Sequence, residues 1–165
     1  MLKISIGVIP VGGRGSRIAE LPFTRILPKS MLPILNKPIL EYVVENMKQV
    51  GVKKIYFVTG YKGPIIKDYF KDGKDYGVEI HYIEDKQMSG LANAIFLCKQ
   101  YIKAPFLVIL GDDLTIDRSL SKLPEKFFQE KCVVVEAVVK EKSIKLLKET
   151  CEATLGPKEI MYDLI

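Results

Sequence analysis

PILEYVVENMKQVGVKKIYFVTG, residues 38–60, is the stretch on which the fold turns. Pro38 suits the first turn of a helix, where its missing N–H costs nothing. Ile39, Leu40, Val43, Val44, Met47 and Val50 then recur at helical spacing and share one face, and Gly51 suits a helix end. Lys54 to Thr59 follows as a β-branched and aromatic run closed by Gly60, which reads as a strand. A helix with one apolar stripe leading directly into such a strand is half of an α/β unit.

The same alternation extends outward in both directions. Ile4 to Ile9 is a short apolar run expected to form the first strand. Residues 10–36 carry glycines and then Pro22, Pro28 and Pro33, so a long structured loop is expected instead of a long helix. Downstream, a short helix is expected over Pro64 to Phe70 and a strand over Val78 to Ile83. Ser89 is expected to cap a helix reaching about Tyr101. Phe106 to Leu110 is an apolar strand broken by Gly111-Asp112-Asp113. A helix over Leu120 to Gln129, a strand over Cys132 to Val139, a helix over Ser143 to Lys148 and a final hairpin from Cys151–Leu155 and Glu159–Ile165 complete the expectation. Strands alternating with helices predict an α/β fold with a mainly parallel sheet covered on both faces.

Bulk properties agree with a globular domain. The chain has 165 residues, 48% apolar and 27% charged, enough for one core. No apolar run approaches the roughly 18 residues of a membrane span. Three widely spaced cysteines, Cys98, Cys132 and Cys151, form neither a disulfide framework nor a metal pattern, and a reducing, cytoplasmic setting is expected. The single histidine, His81, excludes His-cluster chemistry and reads as structural. The net charge of +5 comes from lysines scattered among acidic residues, which argues against a nucleic-acid partner. Arg14, Arg17 and Arg25 instead fall in one glycine- and proline-rich stretch, which suits a small anionic ligand.

Ligands of parallel sheets bind beyond the carboxyl ends of the strands. Two unusual segments follow strand ends here. The first is Gly12-Gly13-Arg14-Gly15-Ser16-Arg17, whose glycines allow close backbone approach and whose Arg17 offers a fork for phosphate oxygens. A tight strand-to-loop turn would use the same glycines. It is not a P-loop, since no Gly-Lys-Ser/Thr triplet occurs. It is not a dinucleotide fingerprint either, since the frame from Gly13 and Gly15 reaches Ile18 in place of a third glycine. The second is Gly111-Asp112-Asp113, where a carboxylate could hold a Mg²⁺ that bridges phosphates, or simply end a turn. Between them, prolines stiffen Leu27-Pro28-Lys29-Ser30-Met31-Leu32-Pro33-Ile34 and fix Lys29, which could serve as a point charge on a phosphate or lie solvated.

Together these parts resemble the nucleotidyltransferase family that makes nucleotide sugars. The resemblance rests on Gly13-Arg14-Gly15-Ser16-Arg17, Pro28-Lys29-Ser30-Met31-Leu32-Pro33-Ile34, Lys37-Pro38, Gly90-Leu91-Ala92-Asn93-Ala94 and Leu110-Gly111-Asp112, in that order. The wording of residues 31–38 and of Tyr42-Val43-Val44 is similar to bacterial-type UTP–glucose-1-phosphate uridylyltransferases, with thymidylyltransferases next. The resemblance implies a Rossmann-like three-layer αβα fold of the nucleotide-diphospho-sugar transferase type. It implies that an NTP (UTP or dTTP favoured) is joined to a sugar 1-phosphate (glucose 1-phosphate favoured), releasing pyrophosphate, with Mg²⁺ as cofactor. By the same resemblance, Gly12, Gly13, Arg14, Gly15, Ser16, Asp85 and Gly90 would bind the nucleotide. Arg17, Lys29 and Asp112 would be catalytic, and Asp112 would hold the metal. Asp85 stands where thymidylyltransferases carry a base-reading Gln, with Gln87 two positions on, so either residue could face the base.

Two departures go with the resemblance. Arg17 and Lys29 stand two residues further apart than the family spacing, with Glu20-Leu21 as the candidate insertion. The chain also stops where the family continues into a Glu-Lys-Pro segment and sugar contacts. Residues 1–165 are therefore expected to be a single nucleotide-binding domain lacking the C-terminal sugar-binding part, and inactive or weakly active alone. That leaves a non-catalytic nucleotide- or sugar-phosphate-binding module as the competing reading, and a homo-oligomer open.

Overall fold

The computed structural model describes residues 3–13, 22–115, 118–130, 133–134, 153–155 and 161–164. Its centre is a four-stranded parallel sheet built from β1 (Ile6–Pro10), β4 (Lys54–Thr59), β5 (Glu79–Glu84) and β6 (Leu107–Val108), in the order β5-β4-β1-β6. Ile6 lies opposite Lys54, Lys54 opposite Glu79, and Gly7 opposite Leu107, so the four strands point their carboxyl ends the same way. A two-stranded hairpin, β2 (Pro33–Ile34) with β3 (Lys37–Pro38), interrupts the loop after β1. A second antiparallel pair, β7 (Ala153–Leu155) with β8 (Met161–Leu164), matches the expected final hairpin.

Alternation along β4 divides the core into two layers. Ile55 and Phe57 face a cluster with Leu40, Val43, Val44 and Met47 of α1 (Ile39–Val50) and with Ile66 and Phe70 of α2 (Gly63–Phe70). Tyr56 and Val58 face the opposite cluster, with Ala94 of α3 (Leu91–Leu97) and with Cys98 and Ile102 beyond it. Helices therefore cover both faces, as the unbroken apolar character of residues 54–59 requires. Strand β4 and helix α1 have the bounds read from the sequence, and α1 ends on a left-handed Gly51.

Other boundaries moved. Strand β1 starts two residues later than its apolar run, because pairing with β4 begins at Ile6; Ile4 is still buried beneath it. Strand β6 is reduced to Leu107–Val108, although Ile109 and Gly111 go on donating to Val8 and Pro10 of β1. Ser89 does not cap α3: the cap position falls on Gly90, without a side-chain hydrogen bond, and the helix passes into a 3₁₀ turn at Cys98–Gln100. A 3₁₀ turn at Arg118–Ser121 precedes α4 (Lys122–Glu130). The strand and helix expected over 132–139 and 143–148 lie outside the described residues, apart from Val133 and Val134, which are not in a strand. His81 stacks on Tyr56 and bonds Glu79, as a structural residue would. Among the described residues, no helix is long and apolar enough to cross a membrane.

Cys98 offers a direct check on the α3 layer. It is fully enclosed, and burial pushes its thiol up to about 11. Because only the thiolate reacts, at pH 8 about one molecule in a thousand would be reactive, against about one in four for an unshifted thiol. Iodoacetamide should therefore label Cys98 at least about a hundredfold more slowly in the native chain than in urea, read by peptide mass mapping. Equal rates would mean that α3 does not seal this face.

Candidate functional site

All four parallel strands deliver loops to one rim, and those loops line a cleft of about 590 Å³. Pro10, Gly12 and Gly13 come from the end of β1, and Val58 from β4. Asp85, Gln87 and Met88 follow β5, Gly90, Leu91 and Ala94 open α3, and Leu110 and Asp112 follow β6. This is the crevice where parallel sheets take their ligands.

The floor is set by a backbone-to-backbone approach. A Cβ on Gly12 would stand 3.0 Å from the Gly60 nitrogen, and one on Gly60 would stand 2.9 Å from the Gly12 oxygen. Tyr61 N–H donates to that same oxygen at 3.2 Å. The ends of β1 and β4 thus touch because neither residue has a side chain. Gly111 does the same for the acidic turn: its Cβ would meet Val11 Cγ1 at 2.3 Å and Pro10 O at 3.2 Å. The absent side chain lets the Asp112 turn lie against the end of β1.

Lys29 reaches the cleft from a different element. It begins a 3₁₀ turn, Lys29–Met31, entered through Pro28 and seated by buried Ser30 and Met31. The segment is then tied to α1. Ile39 N–H donates to Leu32 O, Tyr42 Oη donates to Ile34 O, and Lys37 pairs with Glu41 and Glu45. Partial desolvation opposes the charge on Lys37, but the hydrogen bond and charge of Glu45, with Glu41, prevail and raise its pKa. So anchored, Lys29 Nζ lies 2.5 Å from Asp112 Oδ2. The prolines supply the local stiffness, and the sheet supplies the meeting of residues far apart in sequence.

Asp85 is buried and organises the β5–α3 loop. Its Oδ1 accepts from Gln87 N–H (3.2 Å), Met88 N–H (2.9 Å) and Asn93 Nδ2 (3.2 Å). Its own N–H donates to Thr59 O, which ties the loop to β4. Gln87 is exposed on the same wall.

Of the residues expected at the site, the cleft brings together Gly12, Gly13, Asp85, Gly90 and Asp112, and the ion pair adds Lys29. Arg14, Gly15, Ser16 and Arg17 lie outside the described residues. Sequence reasoning missed the apolar lining by Val58 and Met88, which join Leu91 and Ala94 of the segment quoted above. The available signal was position alone: Met88 falls between a strand end and a helix start, where loops of this rim must pass.

Among the described residues, no three carboxylate, His or Cys groups cluster as a complete metal cage. The donor chemistry nevertheless fits Mg²⁺, which keeps waters and uses one or two carboxylates plus substrate phosphates. Asp112 would be such a carboxylate. A larger cavity, about 720 Å³, opens at the opposite rim beside Lys53 and the start of β5. There Asp72 pairs with Lys74, and Glu79 with His81 and Lys54, so those charges neutralise one another. The strand-end cleft, unlike this one, lies beyond the carboxyl ends of the strands, where parallel sheets take their ligands.

A glycine-lined cleft at the carboxyl rim of a Rossmann-like αβα sheet, with a lysine and a carboxylate paired at its mouth, defines a nucleotidyltransferase type of domain. The family model described as nucleotidyl transferase matches residues 6–145. The chain belongs to that family. It is 37% identical to UTP–glucose-1-phosphate uridylyltransferase 2 of Staphylococcus saprophyticus, over 69% of this chain and 46% of that protein. It is 42% identical to a low-salt glycan biosynthesis nucleotidyltransferase of Haloferax volcanii, over 66% of this chain and 30% of that one. A crystal structure of UDP-glucose pyrophosphorylase complexed with UDP-glucose superposes with a TM-score of 0.68 at 32% identity, covering 78% of this chain and 55% of the other. The chain spans less than half the length of the two curated relatives.

Proposed function

We propose that residues 1–165 form the nucleotide-binding domain of a sugar-1-phosphate nucleotidyltransferase, with UTP or dTTP and glucose 1-phosphate as the favoured substrates. The observation that carries this reading is the Lys29–Asp112 pair at the mouth of a glycine-floored cleft. A fixed cation and a fixed carboxylate side by side suit a metal-bound triphosphate, whose charge must be neutralised while it reacts. The names of the relatives support the same substrates.

In this reading, Gly12, Gly13 and Gly90 let the backbone approach the nucleoside. Arg14, Gly15, Ser16 and Arg17 cradle the phosphates. Asp85 shapes the loop, which leaves Gln87 as the exposed polar side chain on the base wall. Asp112 would hold Mg²⁺, which supplies charge neutralisation and alignment of the phosphates when bound. Lys29 exchanges its bond to Asp112 for phosphate oxygens. An oxygen of the sugar phosphate attacks the α-phosphorus in line. The bond from that phosphorus to the bridging oxygen breaks, and pyrophosphate leaves with the electron pair. No covalent enzyme intermediate is needed, because positioning and charge stabilisation suffice.

Pyrophosphate release tests the proposal. In the nucleotidyltransferase that carries this domain, with Mg²⁺, UTP or dTTP and glucose 1-phosphate, release should require all three components, and EDTA should abolish it. Nucleotide binding without release under any combination would favour the non-catalytic module instead. Absence of nucleotide binding would overturn the proposal and leave only a module that binds a sugar phosphate.

A further inference from the structure

Helix α1 carries two polar side chains one turn apart, and each holds a different arm of the site. Tyr42 Oη donates to Ile34 O at 3.0 Å, on the segment that carries Lys29. Four residues on, Asn46 Nδ2 donates at 2.7 Å to the backbone oxygen of Thr115, three residues after Asp112. Positions i and i+4 of a helix lie one above the other, about 6 Å apart along its axis. The helix itself is firmly seated, since Leu40, Val43, Val44 and Met47 are each at most 1% exposed.

The acidic turn needs such a tie. Among the described residues, its last hydrogen bond to β1 is Gly111 N–H to Pro10 O, at 3.2 Å. Asp113 N–H then donates to Leu110 O at 3.1 Å, and Thr115 Oγ1 to Asp113 Oδ1 at 3.3 Å. Those two bonds are internal to the turn and do not fix it against the rest of the molecule. Asp112 thus stands between two outside attachments, β1 before it and Asn46 after it. A turn held at one end can pivot, and a second attachment removes that freedom. We propose that Asn46 is a positioning residue for the reaction: by holding Thr115 O to the helix that also holds the lysine segment, it sets where the Asp112 carboxylate stands relative to Lys29. This inference rests on the nucleotidyltransferase reading above and deepens it. Asn46 is not among the residues that line the cleft, so it acts through the aim of Asp112. A displacement of about 1 Å can cost on the order of 10²-fold in rate.

The test is Asn46→Leu, made in the nucleotidyltransferase that carries this domain. Leucine keeps nearly the same shape on the helix and loses the donor. Calorimetry with UTP as the probe reads binding once in Mg²⁺ and once in EDTA. Removing a group that orients a metal ligand costs about 10–100-fold in metal affinity or activity. Asn46→Leu should therefore lose about tenfold in UTP affinity in Mg²⁺ and stay within about twofold of wild type in EDTA. The Mg²⁺ concentration at half-maximal pyrophosphate release should rise by about tenfold as well. In an Asp112→Asn background the same change should have little further effect, because residues that act through one another do not add. If Asn46→Leu does not fold, Asn46→Ala, which adds no bulk and also lacks the donor, carries the same expectations. Equal losses in Mg²⁺ and in EDTA, an undiminished loss in the Asp112→Asn background, or wild-type affinity in both conditions would each overturn the proposal. A wild type that binds UTP in neither condition would instead sink the nucleotide-binding reading itself. One that binds it alike in both would sink the role of Asp112 toward Mg²⁺, and this inference with it.

Discussion

Asp112→Asn, made in the nucleotidyltransferase that carries this domain, should lower pyrophosphate release by about 10²–10³-fold while the melting temperature stays nearly constant. The two halves of that expectation come from the same ion pair. Lys29 and Asp112 are 42% and 32% exposed, so their attraction is screened and contributes only about 0–1 kcal/mol to folding. Turned toward a triphosphate, Lys29 would act on phosphate oxygens where negative charge develops, and Asp112 would hold the Mg²⁺ that neutralises the same charge, so a single well-placed group is worth far more there. Lys29→Met should show the same pattern. If the two groups serve one bound ligand, as proposed, their losses do not add, and the double variant should be little worse than either single one. Steady-state rates paired with thermal unfolding check all three variants. Activity within about threefold of wild type in either single variant would remove that residue from the site.

Phe57→Ala should destabilise the fold by about 3–5 kcal/mol, the cost of emptying a large buried site. Phe57 has no exposed surface and meets Phe70 and Tyr82 edge-on, at ring separations of 5.3 and 5.7 Å. It therefore joins strand β4 to helix α2 and to strand β5 at one point. Domains of this size are stable by about 5–15 kcal/mol, so the substitution removes a large fraction of the total. Urea unfolding would measure it, and a loss under about 1 kcal/mol would mean that this layer is not packed as described. Because Phe57 points away from the cleft layer containing Val58, nucleotide affinity of the folded fraction should survive the change.

These two residues mark the division between what was legible in the chain and what was not. Phe57 could be placed from residues 54–59 alone: an unbroken apolar run must be buried on both faces, and helices on either side follow. Helix α1 was equally plain, since its stripe, Pro38 and Gly51 are local signals. The two loops at strand ends were legible for the same reason, as glycines and carboxylates interrupt apolar runs. Local signals failed where pairing decides. Strand β1 begins at Ile6 because β4 begins opposite it, and Ser89 yields the cap position of α3 to Gly90 because Asp85 and its three donors shape that loop.

The sequence by itself determined the α/β class and the glycine-rich and acidic segments that interrupt the chain at strand ends, because periodicity and turn chemistry act over a few residues. Only the tertiary structure decided that Lys29 meets Asp112, that Gly12 touches Gly60, and that Met88 is held in a left-handed bend over that contact. Each of these joins segments from different strand ends. Parallel strands pair through long crossovers, so their order in the sheet, and not their spacing in the chain, sets which loops face one another.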